Sequence, residues 1–289
     1  MDRDNFVLKY AEEHKEGDAK IIDEEHDNQL NKMQVHGQYF KMQKETPEVD
    51  MRATHSWLEK ANLRFETESL LCAAQEQALA TNNAKTHIWK QGGSPLCRLC
   101  KTQPETINHI VSGCKCLAAN KYTFRHNQIG KYLHWQILKD IGFKVTTNWV
   151  HHQPMQSTLW KGIYVLWDMP IITDKRVKCN RPDIVIYDEN LRKCTLIDVA
   201  VPTCTNVVKK VAEKLCKYKD LEIEIQKLWN LKEVKTVPIV VGALGTTVNG
   251  LSKYIEQISE NVNFRTIQKT ALLVSAHILR NVLSIKNLE

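Results

Sequence analysis

The chain has 289 residues, enough for two domains, and its 43% hydrophobic content is that of a folded globular protein rather than a disordered or fibrous one. Its apolar stretches, around residues 238–244 and 271–283, are too short to cross a bilayer, and the start Met1-Asp2-Arg3-Asp4 is neither a signal nor a transit peptide. A soluble, intracellular protein is expected, with no membrane partner. The net charge of +7 conceals an asymmetry, since residues 1–50 hold 13 acids and 7 bases while the remainder carries 33 bases against 20 acids. A basic body behind an acidic leader suits a phosphate-rich partner, because each contacted phosphate releases counterions. Nine cysteines, an odd number without an export signal, argue against a disulfide framework.

In chain order, residues 1–50 read as a charged leader, helical or partly disordered. Residues 51–94 form a helical segment: from Thr54 to Ala80 the spacing of Trp57, Leu58, Leu63, Phe65, Leu70, Leu71 and Ala74 predicts one buried face, stopped by Thr81-Asn82-Asn83. The turn-rich Gly92-Gly93-Ser94-Pro95 leads into a cysteine cluster assigned, with its basic flank, to 95–130. A helix is predicted over Lys121–Ile141. Within the last unit, 131–289, the period changes: Asp183–Tyr187 and Cys194–Val201 read as strands around the turn 188–192. A single amphipathic helix follows over Asn206–Trp229, then a buried strand over Thr236–Ala243 ended by Gly242 and Gly245, then helices over Ile255–Ser259 and Ile267–Leu283. Strand, strand, helix, strand, helix is an α/β order.

Cys97, Cys100, His109 and Cys114 have the spacing C-x2-C-x8-H-x4-C. A C-x2-C bend offers two thiolates, and the His and last Cys return to close a tetrahedron, so a structural zinc ion with no open position is expected. Cys116 is a spare for Cys114. So small a unit has almost no core, and metal binding would supply its folding energy, on the order of 10–16 kcal/mol. Zinc knuckles are among the modules that bind nucleic acid, and Arg98, Lys101 and Lys115 lie within this one.

Arg181-Pro182-Asp183 opens the first strand of the predicted hairpin, and Ile197-Asp198-Val199 lies in the second. The segment 183–198 is symmetric about the 190/191 bond, which sets Asp183 opposite Asp198. Like charges facing each other on a ladder are destabilising, so a shared divalent cation, Mg²⁺ or Mn²⁺, is the expected reason for keeping them. Lys214 and Lys217, three apart on the following helix, share a face, and either could support a phosphoryl transition state.

Asp183 and Asp198 with a following lysine resemble the PD-(D/E)xK pattern of restriction-like nucleases, with Ala200 where the lysine usually stands and the lysine moved to the next helix. The wider order resembles the C-terminal part of proteins encoded by non-LTR retrotransposons with a restriction-like endonuclease. Its marks are the CCHC knuckle, the triplet Arg125-His126-Asn127, Arg181-Pro182-Asp183, the second acid Asp198, Lys217-Tyr218, Val240–Gly245 and the segments 268–273 and 276–280. The likeness spans about 54–283. It implies a PD-(D/E)xK nuclease core after a helical segment and a small zinc knuckle. It also implies Mg²⁺-dependent nicking of DNA in the nucleus by Asp183, Asp198 and Lys217 or Lys214, with Arg181, Tyr218 and Arg125 against nucleic acid. RNA is a second candidate partner, and no small-molecule cofactor is expected. No Y-x-D-D-like polymerase motif is found, and the stretch before the knuckle is too short for one, as in a truncated or domesticated element. A catalytically inactive nucleic-acid-binding remnant with the same zinc knuckle is the alternative.

Other features are read more plainly. His151-His152 are loop residues, Trp149, Trp160 and Trp167 are core or base-stacking residues, and Asp168 or Asp174 is a candidate extra acid. Gly242-x-x-Gly245 lacks the Lys-Ser/Thr of a phosphate loop.

Overall fold

The computed structural model describes residues 37–285; the leader expected over 1–50 lies outside the described residues up to position 36. Short helices Gln38–Lys44, Met51–His55 and Trp57–Lys60 come first, then α1 (Phe65–Gln75). The single helix expected over 54–80 is broken by Asn62 in the left-handed region (φ 47°), and Phe65, placed on the buried face by its spacing, is 80% exposed. Trp57, Leu71 and Ala74 are buried as expected.

The helix α2 (Thr123–Asp140) runs through the expected boundary at 130/131, joining the knuckle's flank to the sheet in one rod. Its apolar positions Ile129, Leu133, Ile137 and Leu138 recur at helical spacing and are buried.

Five strands follow: β1 (Ser157–Trp160), β2 (Ile163–Trp167), β3 (Ile184–Asp188), β4 (Lys193–Ala200) and β5 (Glu233–Val240), adjacent in that order. The first three pairings are antiparallel, and β4–β5 is parallel. A parallel pair needs a long crossover, here α3 (Val207–Lys217) and α4 (Lys219–Leu228). The β1–β2 hairpin was not read from the sequence. Trp160 pairs with Ile163 across Lys161-Gly162, both at positive φ (52° and 79°), the two-residue turn that matches strand twist.

The expected helix 206–229 is two helices because Tyr218, between them, has left helical geometry (φ −109°, ψ 12°). Its ring is fully buried and its hydroxyl donates to the Arg181 carbonyl at 3.0 Å, so tertiary packing outweighs helix continuity. The helix expected at 255–259 lies earlier, as α5 (Leu251–Glu256), entered through Gly250 at φ 85°. The last helix, α6, spans Phe264–Ser284.

Alternation along the strands separates two faces. On β4, Ile197 and Val199 face a core with Leu133 of α2, Leu251 of α5 and Ala271 of α6. Cys194 and Leu196 face the other side, against Tyr218, Leu221 and Ile225. The result is a mixed α/β sheet covered by helices on both faces, with a five-strand core. No helix among the described residues is long and apolar enough to cross a membrane.

Candidate functional site

The C-x2-C bend is a tight hairpin. Leu96 bridges to Pro104, the Cys97 amide donates to the Gln103 carbonyl (2.8 Å), and the Lys101 amide donates to the Cys97 carbonyl (2.9 Å). Lys101 takes φ 55°, which turns the chain so that both thiols point to one spot. The helical turn His109–Gly113 brings back the other two ligands. All four ligand atoms lie within 4.8 Å of one another, with Cys97 Sγ 3.9 Å from Cys114 Sγ and Cys100 Sγ 3.4 Å from His109 Nε2. Zinc–sulfur bonds of about 2.3 Å set tetrahedral ligand separations of about 3.7 Å, so the donor set fits the ion. Burial, with the crowded neighbouring thiols, pushes the Cys114 thiol up to about 12. Three thiols this close resist joint ionisation without a cation, and a bound divalent metal reverses that. Cys116, the spare, is exposed and outside the cluster.

The knuckle is less self-contained than its spacing implies. Cys97, Cys100 and Cys114 share a hydrophobic cluster with Trp57, Leu71 and the α6 residues Ile278 and Leu279. Arg98, expected to meet nucleic acid, is instead buried. It forms a bidentate pair with Glu105 (2.7 and 2.9 Å) and donates to the carbonyls of Val282, Leu283 and Ile285 at the end of α6. Lys101 and Lys115 are exposed, as a surface contact requires.

Tyr122 and Arg125 connect the knuckle to the sheet. The Tyr122 hydroxyl accepts from the Cys114 amide (3.0 Å) and donates to the Ile110 carbonyl (2.7 Å). Arg125, expected on nucleic acid, is 1% exposed, and its guanidinium donates to Ser112, Ser275 and the Val201 carbonyl.

The β3–β4 ladder ends at Ile184 paired with Ile197; Asp183 lies just beyond it, its amide donating to the Ile197 carbonyl at 3.1 Å, and Asp198 is the next residue of β4. Asp183 ends the ladder with its side chain, Oδ2 accepting from the Val199 amide at 2.6 Å. Its other partner is His126 of α2, whose Nε2 lies 2.9 Å from the same oxygen. Burial works against the Asp183 charge, but the His126 hydrogen bond and charge outweigh it and hold the carboxyl below its usual range. Burial and the charge of Asp183 push Asp198 the other way, upward, against Lys214 and Lys217. Two adjacent carboxylates with opposed shifts are a feature of acid–base sites.

Asp198 is 1% exposed, with Lys214 Nζ at 2.6 Å, Lys217 Nζ at 3.4 Å and the Tyr218 hydroxyl at 3.4 Å. Tyr218, buried beneath the strand, is closed to a nucleic acid, contrary to expectation. Its hydroxyl pKa is raised by burial first and by Asp198 next. Arg181 makes an exposed pair with Asp168 (2.8 Å), of the kind worth little, so it remains accessible to a phosphate. Asp174 is exposed and joins nothing at the site.

These residues border a cleft of about 850 Å³ between the start of α2, the open ends of β3 and β4, and α3. Its lining includes His126, Trp167, Asp183, Lys209, Lys210 and Lys214; Asp198, 1% exposed, and Lys217 do not line it. His126 is the residue that sequence reasoning left without a role, since its partner lies 57 positions away. His152, read with His151 as a loop residue, is buried and lies 2.8 Å from His134 Nδ1, stacked on that ring.

Residues 34–120 match a protein family described as zinc-binding in reverse transcriptase. The match takes in all four zinc ligands together with the helices ahead of them. Among curated proteins nothing matches this chain.

Proposed function

We propose that this is a reverse-transcriptase-related zinc protein whose sheet carries a metal-dependent DNA-nicking site in the cleft. The observation that carries the reading is that Asp183, just past the Ile184–Ile197 end of the β3–β4 ladder, lines a cleft with Lys209, Lys210 and Lys214, and that Lys214 is paired with Asp198. Hard oxygen donors of this kind suit Mg²⁺ or Mn²⁺. Asp183 and Asp198 would hold the ion, and such an ion supplies Lewis-acid activation of water and of a phosphoryl oxygen. The chain's own residues have distinct tasks. His126 fixes the direction of the Asp183 carboxylate through Nε2. Lys214, closer to Asp198 than Lys217 and itself lining the cleft, supplies positive charge where charge develops on a phosphate. Lys209, Lys210 and Arg181 hold backbone phosphates, with exposed Lys101 and Lys115 extending the basic surface across the knuckle. The helical segment and knuckle, 51–130, then brace a nuclease unit, 131–289, and a DNA partner implies a nuclear setting.

A second reading has its own observation. Asp198 is almost fully buried with two lysines committed to it. That favours a cleft that binds DNA or RNA without cutting. Supercoiled plasmid with Mg²⁺ separates the two. The nuclease reading expects open-circular product from the native chain and none from the Asp183→Ala, Asp198→Ala double variant. Equal nicking by both proteins, or none by either with binding intact, overturns it.

A further inference from the structure

The connection from β2 to β3 is longer than two adjacent antiparallel strands require. Trp167 pairs with Ile184 at the end of their ladder, yet residues 168–183 intervene where a short turn would do. The base of this loop is fixed. The Asp168 amide donates to the Asp183 carbonyl (2.8 Å), and the Arg181 guanidinium donates to both carboxylate oxygens of Asp168 (2.8 and 2.9 Å). Farther out, the Ile171 amide donates to the Asn180 carbonyl (2.8 Å) and Asn180 Nδ2 donates to the Ile171 carbonyl (3.0 Å), which closes residues 172–179 into an arch. Ile171 is buried in the cluster of Tyr218 and Leu221, and Val177 and Cys179 pack on that cluster, so one side of the arch is held down on the sheet.

The other side of the arch is open. Ile172 is 85% exposed, the most of any large apolar side chain among the described residues, directly after the buried Ile171. Lys175, Arg176 and Lys178 are exposed in the same arch, against one acid, Asp174. Lys175 reaches Glu224 of α4 only at 3.8 Å and stays 77% exposed, a contact of the kind worth little. Burying an isoleucine stabilises a fold by about 1.5–3 kcal/mol, and this one forgoes that gain on a loop whose neighbours are fastened. Trp167, Asp168 and Asp183, at the two feet of the loop, line the cleft, so the arch rises from the cleft's rim. An apolar tip among cations is what a duplex-deforming surface needs: the cations hold phosphates, and the apolar group enters between base pairs, where its burial offsets part of the unstacking cost.

We infer that the arch 172–179 is a wedge for duplex DNA: Ile172 enters a base step, Lys175, Arg176 and Lys178 hold the flanking phosphates, and the opened step lies next to the strand presented to Asp183. The inference rests on the reading that the cleft takes DNA, and is independent of whether it cuts. It gives the arch a task that phosphate contacts alone do not supply, local unstacking of the duplex. An anionic lipid surface also accepts an apolar tip among cations. The place of the arch on the rim of a cleft lined by Lys209, Lys210 and Lys214 favours DNA.

The test uses the full zinc-loaded chain without added Mg²⁺ and DNA duplexes carrying 2-aminopurine at one position at a time, a base whose fluorescence rises on unstacking. The native protein is expected to bind with salt-dependent affinity and to raise the fluorescence severalfold at one step. Ile172→Ser, an exposed change that leaves the fold intact, should abolish that rise while the slope of log Kd against log salt stays native. Lys175→Gln, Arg176→Gln and Lys178→Gln together should lower the slope by about two to three, while Lys253→Gln, away from the loop, leaves it unchanged. The inference is overturned if the native protein binds without unstacking any position, if Ile172→Ser keeps the rise, or if the triple variant keeps the native slope. Binding to vesicles of phosphatidylserine and phosphatidylcholine that Ile172→Ser loses, with no unstacking of DNA, would assign the tip to lipid and overturn the wedge. Absence of any salt-dependent binding to duplex sinks the cleft reading together with the wedge. Unstacking at one step without nicking once Mg²⁺ is supplied sinks the nuclease reading alone.

Discussion

Replacing Glu105 by Ala isolates what locks the zinc knuckle to the rest of the chain. Glu105 is fully buried and accepts four hydrogen bonds, two from the Arg98 guanidinium (2.7 and 2.9 Å) and two from the amides of Arg98 and Asn82 (both 2.8 Å). Removing it leaves the guanidinium of Arg98 buried without a carboxylate, and breaking one partner of a buried pair costs roughly 3–5 kcal/mol. The two stranded amides place the loss in the upper half of that range. At about 2–4 °C per kcal/mol for a chain of this size, the melting temperature falls by on the order of 10 °C. Thermal unfolding followed by circular dichroism with zinc present measures this. The same residue makes a pH prediction. Burial opposes its charge, but the Arg98 hydrogen bonds prevail and hold the folded pKa below the ordinary glutamate value of 4.5. A depressed carboxylate contributes stability above its unfolded pKa and loses it as pH falls through the folded value, so the contribution declines below about 4.5. Glu105→Gln should lack that acid-side decline. A loss under about 1 kcal/mol for Glu105→Ala, the level of an exposed pair, would refute the assignment of this pair as a buried lock.

Two further outcomes follow from other parts of the fold. Stripping zinc with a chelator, or Cys114→Ser, should destabilise α2 as well as the knuckle, because Tyr122 and Arg125 tie them together; hydrogen exchange confined to 95–114 would contradict this. His134 is buried, and burial followed by the charge of His152 lowers its pKa to about 4. A histidine with a depressed folded pKa destabilises the fold as pH drops from its unfolded value near 6.5 toward 4, by roughly 3 kcal/mol in all. Imidazole NMR signals of His134 should stay neutral down to about pH 5, and a midpoint above 6 would be contrary.

The parts legible in the sequence were those with local signatures. The zinc ligands lie within eighteen positions of one another, and coordination geometry ties their spacing to their role. The register of the β3–β4 hairpin followed from the symmetry of its sequence, and the structure has it from Asp188–Lys193 to Ile184–Ile197, with Asp183 just beyond the ladder's end. What stayed hidden depends on distant packing. Arg98 and Arg125 were read as surface cations, as most arginines are, but α6 brings them carbonyls and a hydroxyl from more than 100 positions away. The contact of His126 with Asp183 has no sequence period to announce it. The helix break at Tyr218 arises from burial of one ring, which amphipathic spacing cannot register. The β1–β2 hairpin did leave a mark, Lys161-Gly162 between two apolar runs, which a search for two-residue turns would have found.

The claim that Asp183 and Asp198 act as one cation site is tested most directly by Mn²⁺ binding to the zinc-loaded chain, read by electron paramagnetic resonance. The account predicts one bound Mn²⁺ in the native protein, lost in Asp183→Asn and in Asp198→Asn while both variants keep their zinc and their fold. Binding that is absent from the native protein, or unchanged in both variants, would contradict it.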